Sequence, residues 1–398
     1  MFSLRASVPA RRAACAILQP NVLTSQLLVP PCHGQAQQQQ PPHHQQRQQR
    51  RQYAMRSPSL SKRPRPGPAA PVDPLFKDVP VPSVDLWREF KNKRGLGDVT
   101  PETCLHAFTQ FCLVASGGFS SGEPAIILQR DFNIDLITLH YTALPLITGE
   151  ARLGTVGYSM LFVASNMGYI PSTITAMGIV TQSGKQPDFA KSKTWRALET
   201  NFKRLLRTEN NPDVFTVQGL VLLHQGQPDS YVLSFFDKAI QAAGGTSPRT
   251  ADQPGPGEQG IPAIRKPRWT YENFCHLERG RLLLKRNRTE EAVASFKTAA
   301  LELDHPDGYV ELAKLLPDDA PERETYLLMA AQTGNFEACR LLALYMADKA
   351  ADPALPRDDR AHAGKMAREW AMIGPDPEKR GEVEAQVNEK LKGTTPLG

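Results

Sequence analysis

The 398 residues are enough for a large core or two ordinary domains. The formal net charge of +6 comes entirely from residues 1–72, which hold ten Lys and Arg and no acid, so the remainder carries a net charge of −4. The six cysteines show no C-x-x-C or His-pair spacing, which argues against a structural zinc site.

The N-terminus has the composition of a mitochondrial transit peptide: it is Arg-rich, contains Ser and lacks acid. Its end resembles the sites cut by the matrix processing peptidase and consists of Arg51, Gln52, Tyr53 and Ala54. We therefore predict a presequence over 1–53 and a mature N-terminus between Arg51 and Met55. The competing interpretation is a basic low-complexity tail that binds nucleic acid or is simply solvated.

Two stretches of low apolar content precede the predicted fold. Residues 35–52 contain ten Gln in eighteen positions, and the following segment, 54–83, is rich in Pro. Such sequences have too little apolar surface to offset the entropy of ordering, and Pro denies helix and ladder hydrogen bonds. We expect disorder over 1–53, a Pro-rich linker over 54–83, and folded structure from about Val84, beginning with an N-terminal helical region over 84–211.

An uncharged stretch, 153–184, lies between Arg152 and Lys185 and raises the question of a membrane span. Pro171 lies near its middle, and Gly, Ser, Thr and Asn dilute its apolar residues. We therefore predict two shorter helices that meet at 169–171 in a buried hairpin, and no transmembrane segment.

The clearest internal pattern covers residues 274–304, FCHLERGRLLLKRNRTEEAVASFKTAALELD. Its small and apolar positions follow Gly-x2-Leu-x8-Ala-x3-Phe-x2-Ala and are Gly280, Leu283, Ala292, Phe296 and Ala299. Small residues let two helices approach, while Leu and Phe fill the space between them. This segment resembles the tetratricopeptide repeat and its relative, the Sel-one-like repeat.

Weaker copies flank this segment. Upstream, Gly219, Leu222 and Phe235 match the pattern, but Tyr231 and Lys238 stand where small residues are expected. Downstream, the residues that match the junction between Sel-one-like repeats are Ala330, Ala331, Gly334, Asn335 and Ala338. With one further copy before Gly374, the predicted repeat domain covers 212–374, followed by a C-terminal helix and tail over 375–398.

The resemblance implies an all-α fold, a right-handed α-solenoid of antiparallel helix pairs. Between the first two copies, residues 244–267 hold ten Gly or Pro in 24 positions. That content is too high for a helix, so we predict an inserted surface loop.

The motifs of common catalytic sites are missing from the sequence: there is no nucleophile elbow, phosphate-binding loop, dinucleotide fingerprint or zinc-protease motif. Three of the nine histidines lie in the predicted presequence, and the other six are scattered along the chain. We therefore predict a non-enzymatic protein with no catalytic residue, no metal and no cofactor. An enzyme whose residues converge from distant parts of the chain is the remaining alternative.

Mitochondrial members of the resembled family often help the biogenesis of respiratory-chain components. Together with the presequence, the resemblance implies a matrix adaptor or scaffold that binds protein partners in the groove of the solenoid. Peripheral association with the inner membrane stays open.

RNA binding in mitochondrial gene expression is the alternative function. Residues 185–207 have seven basic and two acidic residues, and residues 265–288 have eight and two. The candidate partner-binding residues in the second stretch are Arg279, Arg281, Lys285 and Arg286. The competing interpretation is a pair of solvated helix faces, because the predicted folded part is slightly acidic.

Overall fold

The computed structural model describes residue 76 and residues 79–94, 97–117, 123–182, 193–245, 264–373 and 377–392. Within these ranges the chain forms sixteen α-helices and no strand, which confirms the prediction of an all-α protein. None of the described helices is both long enough and apolar enough to cross a membrane.

The first nine helices precede the Gly/Pro-rich segment. They are α1 (Asp85–Arg94), α2 (Pro101–Ala115), α3 (Glu123–Phe132), α4 (Leu136–Ile147), α5 (Ala151–Asn166), α6 (Ile170–Gln182), α7 (Lys193–Thr208), α8 (Pro212–His224) and α9 (Asp229–Ala242). The others are α10 (Glu272–Lys285), α11 (Thr289–Lys297), α12 (Pro306–Leu315), α13 (Pro321–Gln332), α14 (Phe336–Ala351), α15 (Arg357–Ala371) and α16 (Pro377–Leu391). A π-helical turn, Thr298–Glu302, extends α11.

Consecutive helices pack in pairs: α2 with α3, α4 with α5, α6 with α7, α8 with α9, α10 with α11 and α12 with α13. Because short connections join most of these pairs, their helices run antiparallel. First helices of successive pairs also touch, as α6 touches α8 and α8 touches α10, and so do the second helices α5 and α7. The same arrangement links α2 with α4 and α3 with α5, so regular pairing begins well upstream of Pro212.

The described residues divide into two compact units. One ends at Ala338, and the other begins at Cys339, within α14. This division falls inside the predicted repeat domain, 212–374. In the second unit α15 packs against α16.

Helices α5, α8, α10 and α13 end in the same way. Each is followed by a residue in the left-handed conformation, namely Gly168, Gly226, Asn287 and Gly334. The next amide then donates to a carbonyl in the last turn, as Arg288 N does to Leu283 O at 3.0 Å. Such caps satisfy carbonyls that a helix end would otherwise leave without a partner, and they turn the chain back.

The uncharged stretch forms the predicted pair of shorter helices. Helix α5 ends at Asn166 and α6 begins at Ile170, with Pro171 at the second position of the helix, where its missing amide costs no helical hydrogen bond. The two helices pack against each other. Ser165 and Thr173, both buried, share a hydrogen bond of 2.7 Å between their hydroxyls.

Candidate partner-binding site

The best-matched repeat is the pair α10 and α11. Gly280 faces the ring of Phe296 so closely that a Cβ at this position would lie under 3.0 Å from the ring. Ala292, Phe296 and Ala299 are fully buried, as is Leu283. The small residues therefore stand where the two helices meet, and any larger side chain would have to separate them.

The upstream pair, α8 and α9, uses the same contact in a different register. Gly219 faces Phe236, not the predicted Phe235, and a Cβ on Gly219 would lie 2.5 Å from that ring. Residues 225–228 separate α8 from α9, whereas residues 286–288 separate α10 from α11, so α9 begins one residue later.

This shift also corrects the apparent mismatch at Tyr231 and Lys238. The buried positions are Val232 and Ala239, which are both fully enclosed, and Leu222 is buried as well. Phe235 instead lies beside Tyr231, with ring centroids 5.4 Å apart, and the Lys238 ammonium lies 4.9 Å from the centre of its ring.

The junction residues lie where α13 ends and α14 begins. Ala330, Ala331 and Ala338 are buried, and Gly334 has φ of 85°. The Asn335 side chain caps α14, because its Oδ1 accepts from Ala338 N at 3.0 Å. Its Nδ2 donates to Asp307 on α12 at 2.6 Å, so this residue ties the first turn of α14 to the preceding pair.

Two of the four candidate arginines and lysines form ion pairs within the protein. Arg279 donates to Asp237 on α9 and to Ser295 on α11, both at 2.7 Å. Arg281 donates to Glu278 at 2.7 Å and to Glu311 on α12 at 2.9 Å. Asp307 lies 3.9 Å from Arg281 as well.

Lys285 and Arg286 differ from these arginines. Both side chains are exposed at the end of α10, and neither forms an ion pair with any described residue. The structure therefore brings Arg279 and Arg281 into a network that links α9, α10, α11 and α12, and leaves the other two in solvent.

A second network, which the sequence did not indicate, anchors the end of the predicted loop. The Glu272 carboxylate is fully buried and accepts hydrogen bonds from Arg265 at 2.9 and 3.0 Å and from Arg268 at 2.9 Å. Burial alone would raise the pKa of Glu272, but the Arg265 and Arg268 hydrogen bonds prevail and hold it below its ordinary value. Glu272 is thus a carboxylate held in its charged form.

Two aromatic residues beside this network pack into the core. Trp269 and Tyr271 are buried, although they directly follow the predicted loop 244–267. Trp269 Nε1 donates to Thr216 Oγ1 on α8 at 3.1 Å, and Tyr271 N donates to Asp213 Oδ1 at 2.9 Å. The segment before α10 therefore binds the preceding helix pair.

Two histidines of this region, His276 and His305, are buried, and neither ring nitrogen of either one forms a hydrogen bond with a described residue. Burial lowers the pKa of His276 to about 4, and it also lowers the pKa of His305. His276 Nε2 lies 4.0 Å from the Glu272 carboxylate, and its ring lies beside Trp269. Both imidazoles are therefore neutral at physiological pH.

The described cysteines are poor nucleophiles. Burial raises the pKa of Cys104, Cys112 and Cys339 to about 11 and that of Cys275 to about 12, so their thiolates are scarce near neutral pH. Among the residues that the structure describes, His, Cys, Asp and Glu side chains do not gather in groups of three that could hold a metal ion.

The predicted cleavage residues Arg51, Gln52, Tyr53 and Ala54 lie outside the described residues. Comparison of the chain with family models, with curated proteins and with solved structures finds no match. The likeness to tetratricopeptide and Sel-one-like repeats accordingly stays a prediction from the motif.

Proposed function

We propose that the protein is a non-enzymatic adaptor of the mitochondrial matrix that binds protein partners along its first helices. The adjacent positions of α6, α8 and α10 support this proposal, because a row of packed helices presents a longer surface than an isolated pair. In this proposal the pairs follow a right-handed solenoid, and the row lines its groove.

The surroundings of Arg281 favour a protein over RNA at this row. Arg281 is the arginine of α10 that keeps the larger exposed fraction, 39% of its side chain, yet three carboxylates surround it: Glu278, Asp307 and Glu311. The local charge is therefore negative, and it opposes the approach of phosphate groups. A protein partner can meet this surface with its own polar and basic side chains.

The resemblance extends the proposal to a role in the biogenesis of respiratory-chain components, where such adaptors hold a subunit or assembly factor. The transit-peptide composition of residues 1–53 supports the matrix location. An import assay tests it: full-length chain added to isolated mitochondria should become protease-protected and start between Arg51 and Met55. A chain that stays protease-sensitive and keeps Met1 would contradict the location.

Lysine cross-linking in intact mitochondria tests the binding surface. Lys285 on α10 and Lys314 on α12 are exposed on first helices, while Lys238 on α9 and Lys297 on α11 are exposed on second helices and serve as matched controls. We expect cross-links to other proteins from Lys285 and Lys314 at several times the frequency found for the controls. Equal frequencies, or an excess from Lys238 and Lys297, would contradict partner binding along the first helices.

A further inference from the structure

Helix α7 presents a row of cations to solvent. Arg196, Lys203, Arg204 and Arg207 are exposed, whereas Leu198, Phe202 and Leu205 on the opposite side are buried, at 1%, 1% and 5% exposure. Positions 196, 200, 203 and 207 are three or four residues apart and so lie on one face of the helix. With a rise of 1.5 Å per residue, this row is about 16 Å long.

The two arginines at the end of this row are available to a ligand. Lys203 pairs with Glu199 one turn earlier, with Nζ and Oε1 2.6 Å apart. Arg204 and Arg207 form no ion pair within the part of the chain that the structure describes. A guanidinium without an ion-pair partner can donate two parallel hydrogen bonds to two oxygens of one phosphate.

The other residues on this face decide which polyanion fits it. Between and beside the cations stand Thr200 and Thr208, whose hydroxyls donate to Arg196 O and Arg204 O at 2.7 and 3.1 Å. Of the large apolar side chains of α7, Leu198, Phe202 and Leu205 lie in the core, while Trp195 and Leu206 are half-buried. The row of cations therefore has no fully exposed apolar side chain to insert into a bilayer, as interfacial helices do. A line of cations without exposed apolar side chains fits the backbone of a nucleic acid better than a lipid surface.

We propose that the exposed face of α7, from Arg196 to Arg207, binds the phosphate backbone of single-stranded RNA. This site is separate from the row of first helices and does not depend on the adaptor function. Because the contacts go to phosphates, binding has little base preference and weakens steeply with salt.

Fluorescence anisotropy with a labelled mixed-sequence RNA of about 20 nucleotides tests the site. The full chain is compared with the double variant R204Q/R207Q and with R357Q/R368Q, which removes two exposed arginines from α15. We expect R204Q/R207Q to weaken binding about tenfold and to lower the salt dependence, and the control to weaken it less than about twofold. Equal losses in the two variants, or no binding of RNA to the full chain at low salt, would overturn the proposal.

Two further measurements separate α7 from other sources of binding. Ultraviolet cross-linking followed by mass spectrometry should place cross-links in peptides of α7; cross-links confined to the basic segment 1–72 would overturn the proposal. Binding to vesicles of phosphatidylcholine with anionic phosphatidylglycerol tests whether the face binds lipid. If R204Q/R207Q reduced vesicle binding and left RNA binding unchanged, the face would be a membrane contact instead.

Discussion

Helices α7 and α10 both carry dense positive charge, but their counter-charges are placed differently. Around α10, carboxylates from three other helices approach its arginines: Asp237 of α9, Glu291 of α11 and Glu311 of α12. On α7 the ion pair of Lys203 is local, because its partner Glu199 belongs to the same helix. The charge of a surface therefore depends on which helices pack beside it, and a basic run of sequence can either stabilise the fold or bind a ligand.

The largest effect is expected from Glu272→Gln, which tests whether the basic residues around α10 hold the fold together. The change leaves Arg265 and Arg268, with side chains 22% and 29% exposed, without their shared counter-charge. Both arginine side chains remain partly exposed to solvent, which limits the cost of losing the carboxylate. We expect a loss of about 3 kcal/mol in the free energy of unfolding, measured by urea denaturation.

Glu89→Gln is the matched control, since this carboxylate on α1 is exposed to solvent and pairs only with Lys93 on the same helix among the described residues. The urea concentration at the midpoint of its unfolding should equal that of the wild-type chain. Equal midpoints for the two variants would show that Glu272 adds no more than a surface pair.

Gly280→Ala tests how tightly α10 is enclosed. The added Cβ would meet the Phe296 ring at under 3.0 Å, so we expect a loss of about 1–3 kcal/mol in thermal or urea unfolding. Gly381→Ala on α16 is the control, because no described atom outside the backbone of its own helix lies within 4 Å of its Cβ position. There the better helix propensity of Ala should stabilise α16 by about 0.5–1 kcal/mol. A stabilising effect of Gly280→Ala would contradict the close approach of α10 and α11.

Part of the pH dependence of stability should come from α10, and His140 on α4, whose pKa burial also lowers to about 4, should add to it. The pKa of His276 is lowered from 6.5 to about 4, so below pH 6.5 the unfolded chain binds more protons and stability falls. We expect up to about 1.4 kcal/mol of loss per pH unit between these values. His276→Asn should make the profile of urea stability against pH shallower over that window. An identical profile for this variant would mean that His276 is solvated.

The smallest effect on stability is expected at α7. R204Q/R207Q should change the free energy of unfolding by less than about 0.5 kcal/mol, because both side chains are exposed and unpaired within the described residues. Arg279→Gln, in a side chain 18% exposed, should cost about 1 kcal/mol, because it removes contacts to α9 and α11. Circular dichroism during urea unfolding measures both. A larger loss for the α7 variant would reverse the comparison.

Local pattern was enough to predict the helical class and the close approach of two helices at Gly280, with Phe296 filling the space between them. Both depend on residues within one hairpin, where spacing along the sequence fixes spacing in the structure. The same reasoning misplaced Phe235, because a turn longer by one residue shifts every later position without any change in composition. Small residues alone could not reveal this shift, since Val232 fills the position where Ala was expected.

The contacts of the candidate partner-binding residues were harder to predict, because these contacts join residues that are distant in sequence. Arg279 meets Asp237 and Arg281 meets Glu311, 42 and 30 residues away, so no local window contains the pairs. Trp269 meets Thr216 across 53 residues, and its Pro- and Gly-rich neighbourhood pointed to a loop. For the same reason, the sequence alone did not distinguish the two basic stretches, 185–207 and 265–288.

The hydrogen bond between Arg268 and Gly245 has a practical consequence for work with this protein. Arg268 Nη1 donates to the carbonyl of Gly245 at 2.7 Å, and Arg265 N donates to Glu302 O at 2.8 Å. The chain that leaves α9 and the chain that enters α10 are thus held by contacts that do not involve residues 246–263. A protease site introduced between them offers a way to divide the polypeptide into two fragments that stay joined through Trp269 and Thr216. Co-expressed halves then give a complementation assay in which assembly itself is the readout.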